Sequence, residues 1–432
     1  MGAEIGSTRL ETLLLHGGVA PALAGGDPGA ARGTPTLPPV VLATAYAHES
    51  AEDMEAVFSG LTQGHVYSRM TNPTVDALER RVAALCGGAG PGGDEAEVLA
   101  LASGMSAIAL ALLAMLKSGD EVIAGQFLFG GTYTFFQRTL RDLGVVTHYI
   151  DPRHPEEAEA KIGARTRAIF LEAIANPAMV VPDFRAFRAI ADRHGVPVLV
   201  DATLLTPALA DPGRLGADLL FYSGSKFLAG AACAVGGLIV DPGRFAWHRS
   251  PRFELGDFRQ AGQRALMTKL RRPMMAGIGP CLAPLHAFLL LTGMETLALR
   301  LERQCAQALR VADWLADRPQ VRAVHYPGRA GDPNHALCQS QFDGRGGAVL
   351  CFELEDKAAC FRFLNALTLV QRVTNLGDTR TLAVHPHSTI YGPFWAHEQE
   401  LLGVNLRMVR LSVGIEHCED ILADLARGLE AA

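Results

Sequence analysis

Three short stretches of this chain hold residue types whose order suits one kind of chemistry. In FYSGSKFLAG, residues 221–230, Lys226 stands between small hydroxyl residues and a nearly uncharged Gly/Ala-rich run. Desolvation disfavours an ammonium there, so the lysine needs a partner or a chemical use. In VPVLVDATLLTP, residues 196–207, an apolar run ends at Asp201, which puts a carboxylate at the carboxyl end of a strand, where α/β sheets bind ligands. In LASGMSAIALALLAML, Gly104 and Met105 open a helix directly after a strand. Amides at a helix N-terminus bind phosphate, and a glycine allows close approach. Together these are the parts that pyridoxal phosphate (PLP) uses. A lysine condenses with its aldehyde, and a carboxylate keeps the pyridine nitrogen protonated so that the ring accepts a substrate's electrons. Ser223 and Ser225 flank the lysine with hydroxyls for the phosphate. Each stretch alone has a plainer reading, such as a capping aspartate or a capped helix; the order of the three carries the argument.

The elements that position these residues follow from periodicity. From about residue 95, short apolar runs (EVLALA, EVIAG, VVTHYI, TRAIFLEAI, VPVLVDA, ADLLFYSGS, VGGLIVD) alternate with amphipathic ones, which predicts a mainly parallel sheet covered on both faces. After about residue 250, a long helical pattern ending near Pro319 leads into VRAVHYPG, GGAVLCFELE, KAACFRFLNAL, LRMVRLSVGIE and CEDILADLARGLEAA. That is an α+β pattern and suggests a second, smaller domain. The expected division is an N-terminal arm (1–65) that contacts a neighbouring subunit, a PLP-binding α/β domain (66–270) and a C-terminal α+β domain (271–432).

Composition narrows the function classes. The 432 residues are 49% hydrophobic and 19% charged with a net charge of -6, so no basic footprint for nucleic acid or anionic membrane is present. The eight cysteines are scattered, with no CxxC pair and no Cys/His cluster at metal spacing, and read as buried thiols of a reducing compartment with no metal. The N-terminus lacks a basic region followed by an apolar core and is not read as a secretory signal. The uncharged stretch 273–294 is interrupted by Pro280, Pro284 and His286 and reads as a buried helical segment rather than a membrane span. The expectation is a cytoplasmic protein acting on a small-molecule amino acid.

YSRMTNPTVDALE (67–79), ASGMSAI (102–108), DATLLTP, SGSKFLAG and VRLSVGIEHCEDILADL resemble the Cys/Met-metabolism branch of fold type I PLP enzymes, nearly end to end. The branch holds cystathionine γ-synthase, cystathionine and methionine γ-lyases, and O-acylhomoserine sulfhydrylases. The resemblance implies an aspartate aminotransferase-like fold, with a mainly parallel large domain and a smaller α+β domain. It implies that Lys226 forms the imine and shuttles protons, and that Asp201 partners the pyridinium. Gly104, Met105, Ser223 and Ser225 match the phosphate cradle, and Thr203 joins the cofactor-binding set. Tyr67 and Arg69 resemble the pair that reaches the neighbouring subunit's phosphate, so a homodimer is the implied active unit and a homotetramer the usual assembly. Asn176 matches the asparagine beside the cofactor's phenolic oxygen. Arg410, with Asn375, matches the clamp on the substrate α-carboxylate, which a planar guanidinium binds bidentately.

Departures from the family pattern bear on substrate. LFGGT has Phe129 where a tyrosine commonly stacks on the ring, so stacking survives and the phenol is lost. A leaving thiolate benefits from protonation by such a phenol, while acetate or succinate leaves as a stable carboxylate. NLGDTRTLAVHP carries Asp378 and Arg380 where lyases and the synthase carry a glutamate, which resembles the sulfhydrylases and makes Arg380 a substrate-binding candidate. Gly131 stands where methionine γ-lyases carry a cysteine. Ala202 and His387 have no assigned role, and Tyr391 offers a phenol that competes with the Phe129 argument. The implied reaction is replacement of the acyloxy group of O-acetyl- or O-succinylhomoserine by sulfide or a thiol. The alternatives are a γ-lyase acting on methionine, homocysteine or cystathionine, and a catalytically silent PLP-binding homologue.

Overall fold

A computed structural model describes residues 9–18, 35–87, 96–211 and 213–432. Within these residues seven strands form the large sheet: β1 (Glu97–Leu101), β2 (Glu121–Gly125), β3 (Val146–Ile150), β4 (Thr166–Glu172), β5 (Val198–Asp201), β6 (Leu219–Ser223) and β7 (Gly237–Asp241). Their order is β1-β7-β6-β5-β4-β2-β3. Every pairing is parallel except those of β7, which runs antiparallel to both β1 and β6. The two-residue period of the strands sorts their side chains into two cores. Ile169, Leu171, Val198, Val200, Leu220 and Val240 face one layer of helices, and Phe170, Leu199, Leu219, Phe221 and Ile239 face the other. Burial on both faces is why these strands read as unbroken apolar runs.

The smaller sheet comprises β8 (Ala323–His325), β9 (Val349–Glu353), β10 (Gln371–Arg372), β11 (Leu382–Val384) and β12 (Met408–Ser412), in the order β10-β11-β12-β9-β8. The helices Lys357–Ala366 and Cys418–Ala431 close its core with Phe352, Phe363, Val409, Leu411 and Leu425. The helix Leu297–Ala316 joins the two layers of structure. Its buried Arg300, Gln304 and Gln307 donate to the carbonyls of Phe227, Asp378, Val413 and Gly414, at 2.8–2.9 Å. One helix thereby ties the segment carrying Lys226 to the loop that follows Asn375.

The stretch 273–294 is broken into a π-type turn, a short helix Ala276–Ile278 and the helix Pro284–Met294. Among the described residues no helix is long and apolar enough to cross a membrane. The expected buried thiols need one correction: all eight cysteines are free, but Cys233 is exposed, in the irregular segment after the Lys226 turn, and Cys281 is half-buried, in an isolated bridge to Leu101. Part of the expected arm, residues 1–8 and 19–34, lies outside the described residues. Within the rest, the helix Leu10–His16 packs on the chain's own helix Pro73–Cys86, where Arg81 Nε donates to Gly17 O at 2.6 Å.

Candidate active site

The sheet topology decides what can meet. β4, β5 and β6 are parallel neighbours, so Glu172, Asp201 and Ser223 end side by side. The reversed β7 brings Gly236 and Gly237 to the same edge, opposite Leu101 and Ser223. Ligands of open α/β sheets bind at this edge.

Lys226 leaves β6 in a π-type turn, Gly224–Leu228, where its own φ/ψ of -100°/-126° is not helical. Such turns concentrate at functional sites. The side chain is half-buried and donates from Nζ to Asn375 Oδ1 at 2.6 Å. Burial first, and the nearby Arg410 cation second, push its pKa down to about 8. The amine is therefore available as a neutral base near physiological pH.

Arg410, in the middle of β12, is 2% exposed and has no carboxylate partner among the described residues. Its guanidinium donates to Asn176 Oδ1 and to Asn375 O, both at 3.0 Å. Asn375 thus serves both cations, by its side chain to Lys226 and by its carbonyl to Arg410. A guanidinium has five N–H donors, so three remain for a ligand beside Lys226. An unpaired buried cation is costly, and an anionic substrate group offsets that cost.

Asp201 lies at the end of β5. It accepts from Thr203 N at 3.0 Å and has no cation partner among the described residues. Burial raises its pKa. Thr203 Oγ1 in turn accepts from Ser223 N at 2.8 Å, which joins the ends of β5 and β6. Glu172, in register with Asp201 on β4, is 8% exposed. Burial and the neighbouring Asp201 raise its carboxyl well above the usual range. Its oxygens accept from Phe129 N at 2.5 Å and Asn176 N at 3.2 Å. The sequence pattern missed Glu172. The only signal is a carboxylate ending an otherwise apolar strand, the same signal that marks Asp201.

Beside these residues the chain makes a cup. The helix Gly104–Met115 is capped by Ser103, whose hydroxyl accepts from Ser106 N at 3.0 Å. The first-turn amides of Gly104 and Met105 precede any intrahelical bond. A Cβ on Gly104 would lie 2.9 Å from Ser223 Cβ, and one on Gly237 would lie 2.0 Å from Ser103 O. Backbones therefore approach here as only glycine permits. Ser225 Oγ accepts from Gly236 N at 3.1 Å. An uncompensated carboxylate, a depressed lysine and an amide-lined cup fit PLP's pyridine nitrogen, aldehyde and phosphate respectively.

Other expected residues fall around this cluster. Phe129 begins the helix Gly130–Thr134; a Cβ on Gly131 would come within 2.9 Å of Phe129 Cε1 and 3.4 Å of Met105 Sδ. Tyr391 is 1% exposed, and its hydroxyl donates to Asn176 O at 2.7 Å. Burial raises that phenol well above its ordinary range. Arg380 is not drawn in: its side chain is 54% exposed and pairs with Asp378 Oδ1 at 3.0 Å. Tyr67 and Arg69 also stand apart from Lys226, with Arg69 5.3 Å over the Tyr67 ring and bonded to Ala276 O. Ala202, next to Asp201 in the chain, is buried in the core, and His387 lies beside His385, 6.0 Å between the centres of the tilted rings.

Fold and cup together define a fold type I PLP-dependent enzyme. Residues 24–430 match the family described as Cys/Met metabolism PLP-dependent enzyme. The chain is similar to O-acetyl-L-homoserine sulfhydrylase 1 of Thermus thermophilus, at 38% identity over 98% of this chain and 100% of that one. It is equally similar to L-methionine gamma-lyase of Pseudomonas putida, at 38% identity over 92% and 93% of the two chains. The crystal structure of a putative O-acetylhomoserine (thiol)-lyase from Campylobacter jejuni, containing a pyridoxyl-lysine phosphate, superposes with a TM-score of 0.87 at 30% identity, covering 98% and 100%. The chain belongs to the Cys/Met metabolism family of PLP-dependent enzymes. It is an enzyme of trans-sulfuration or lyase type, acting on amino acids of the homoserine and homocysteine kind.

Proposed function

We propose that this enzyme catalyses γ-replacement: the acyloxy group of O-acetyl- or O-succinylhomoserine is exchanged for sulfide or a thiol, giving homocysteine or an analogue and the free carboxylic acid. PLP, when bound, supplies a ring that stabilises negative charge at the substrate's α-carbon. Two of the three remaining donors of Arg410 hold the α-carboxylate as a fork, and Asn375 orients both Arg410 and Lys226. Lys226 Nζ takes the proton from the α-carbon and carries protons along the substrate chain; a depressed pKa suits that exchange. Asp201 would hold the cofactor's ring nitrogen in its protonated form by charge. The acyloxy group departs as a carboxylate, and the nucleophile adds at the γ-carbon.

One observation carries the choice of leaving group. Phe129 has no hydroxyl, and the Tyr391 hydroxyl is committed to the carbonyl of Asn176, so neither aromatic residue offers a phenolic acid to a departing thiolate. A carboxylate leaving group needs none. The γ-lyase reading is supported by the equal similarity to methionine gamma-lyase. We also propose that the active unit is a homodimer, supported by the exposed Leu42, Phe58 and Leu61 in the segment of chain that leads to Tyr67 and Arg69. The test is homocysteine formation by PLP-loaded enzyme from either ester with sulfide. Absence of homocysteine from both would reject the proposal.

A further inference from the structure

Glu172 is the one buried acid of the cluster that the proposed chemistry leaves unused. Residues in register on parallel neighbours project to the same face, so its side chain emerges beside that of Asp201. No cation pairs with it among the described residues; its two oxygens reach two separate loops. One accepts from Phe129 N, at the start of the helix Gly130–Thr134, and the other from Asn176 N, after β4. Asn176 is itself a junction: its side-chain oxygen accepts from Arg410 and its carbonyl accepts from Tyr391. A single carboxylate therefore stands one bond from the aromatic residue on the ring side and two bonds from the guanidinium on the substrate side. No other buried acid among the described residues connects these two sides.

We propose that Glu172 is a positioning residue that locks the Phe129 segment and Asn176 into one frame beside Asp201, so that ring contact and carboxylate clamp are set together. A plain helix cap would need only the bond to Phe129; the second bond, to Asn176, distinguishes the two roles. Without Glu172 both amides lose a buried acceptor, and the conformation competent for cofactor becomes one of several. The proposal does not depend on which γ-substituent leaves.

The test uses the holoenzymes of Glu172→Gln and Glu172→Ala, read by the visible circular dichroism of bound cofactor and by the rate of cofactor loss on dilution. Melting temperature and the KM and kcat for an amino-acid substrate complete the comparison. The alanine variant is expected to lose cofactor at least tenfold faster, with the dichroism at half amplitude or less and KM raised more than kcat is lowered. The glutamine variant keeps one acceptor oxygen and is expected to fall between alanine and the parent in every readout. A glutamine variant indistinguishable from the parent, or no better than alanine, would overturn the proposal. If the alanine protein does not fold, the comparison of glutamine with the parent decides alone, since unchanged dichroism and cofactor retention there refute the role.

Discussion

Replacing Arg410 by lysine keeps the charge and removes the fork. In the parent, two of five guanidinium N–H groups go to Asn176 and Asn375, each at 3.0 Å, which leaves three for the substrate. An ammonium has three donors; if two replace those anchors, one remains, and the carboxylate is held by one bond instead of two. A hydrogen bond to a charged group contributes about 1.5–3 kcal/mol, so kcat/KM should fall about 10- to 150-fold. The loss should appear mainly in KM, because the clamp holds ground and transition states alike. Steady-state kinetics with O-acetylhomoserine at saturating sulfide, alongside the melting temperature, measures this. A kcat/KM within about threefold of the parent would refute the assignment of Arg410 as the carboxylate clamp.

Other outcomes follow from the same geometry. Lys226→Ala should abolish turnover and the visible absorption of the resting enzyme; retained turnover would remove Lys226 from the mechanism. Because burial and Arg410 push the Lys226 pKa down to about 8, its neutral amine exists at lower pH than that of an ordinary lysine, near about 10.4. The rate at which cofactor-free protein recombines with PLP should therefore rise with pH and level off above about 8. A midpoint above about 10 in stopped-flow absorbance would contradict that environment. Phe129→Tyr restores a phenol beside the cluster and should raise release of 2-oxobutyrate from methionine by about tenfold or more. No increase would show that leaving-group protonation is not what this site lacks.

Much of this candidate site was legible in the sequence because its ionisable residues sit at or just after strand ends. Asp201 and Lys226 follow runs of buried apolar residues whose period and length fix strands, and the end of a strand fixes where a side chain emerges. Gly104 was legible for the same reason, as the residue where a strand gives way to a helix. What sequence could not supply was pairing across the sheet. Glu172 becomes a neighbour of Asp201 only through the β4–β5 register, and the reversal of β7, which closes the cup with Gly236 and Gly237, has no local signature. Asn375 and Arg410 lie far along the chain from Lys226 and meet it only because the smaller sheet packs beside the large one. Tyr391 shows the opposite failure. Its position in HPHSTIY suggested a phenol in the site, yet its hydroxyl is consumed by a backbone carbonyl, a fate decided by packing.

The proposed replacement chemistry stands or falls on how the enzyme partitions its substrates. PLP-loaded protein should be given O-acetyl- or O-succinylhomoserine with sulfide in one set of vessels and methionine alone in another, with homocysteine and 2-oxobutyrate measured in each. Homocysteine from one of the esters, with little 2-oxobutyrate from methionine, is the predicted result and identifies the acyl group. Rapid 2-oxobutyrate from methionine, with little homocysteine from either ester, would contradict it and make the enzyme a γ-lyase whose acid is neither Phe129 nor the bonded Tyr391.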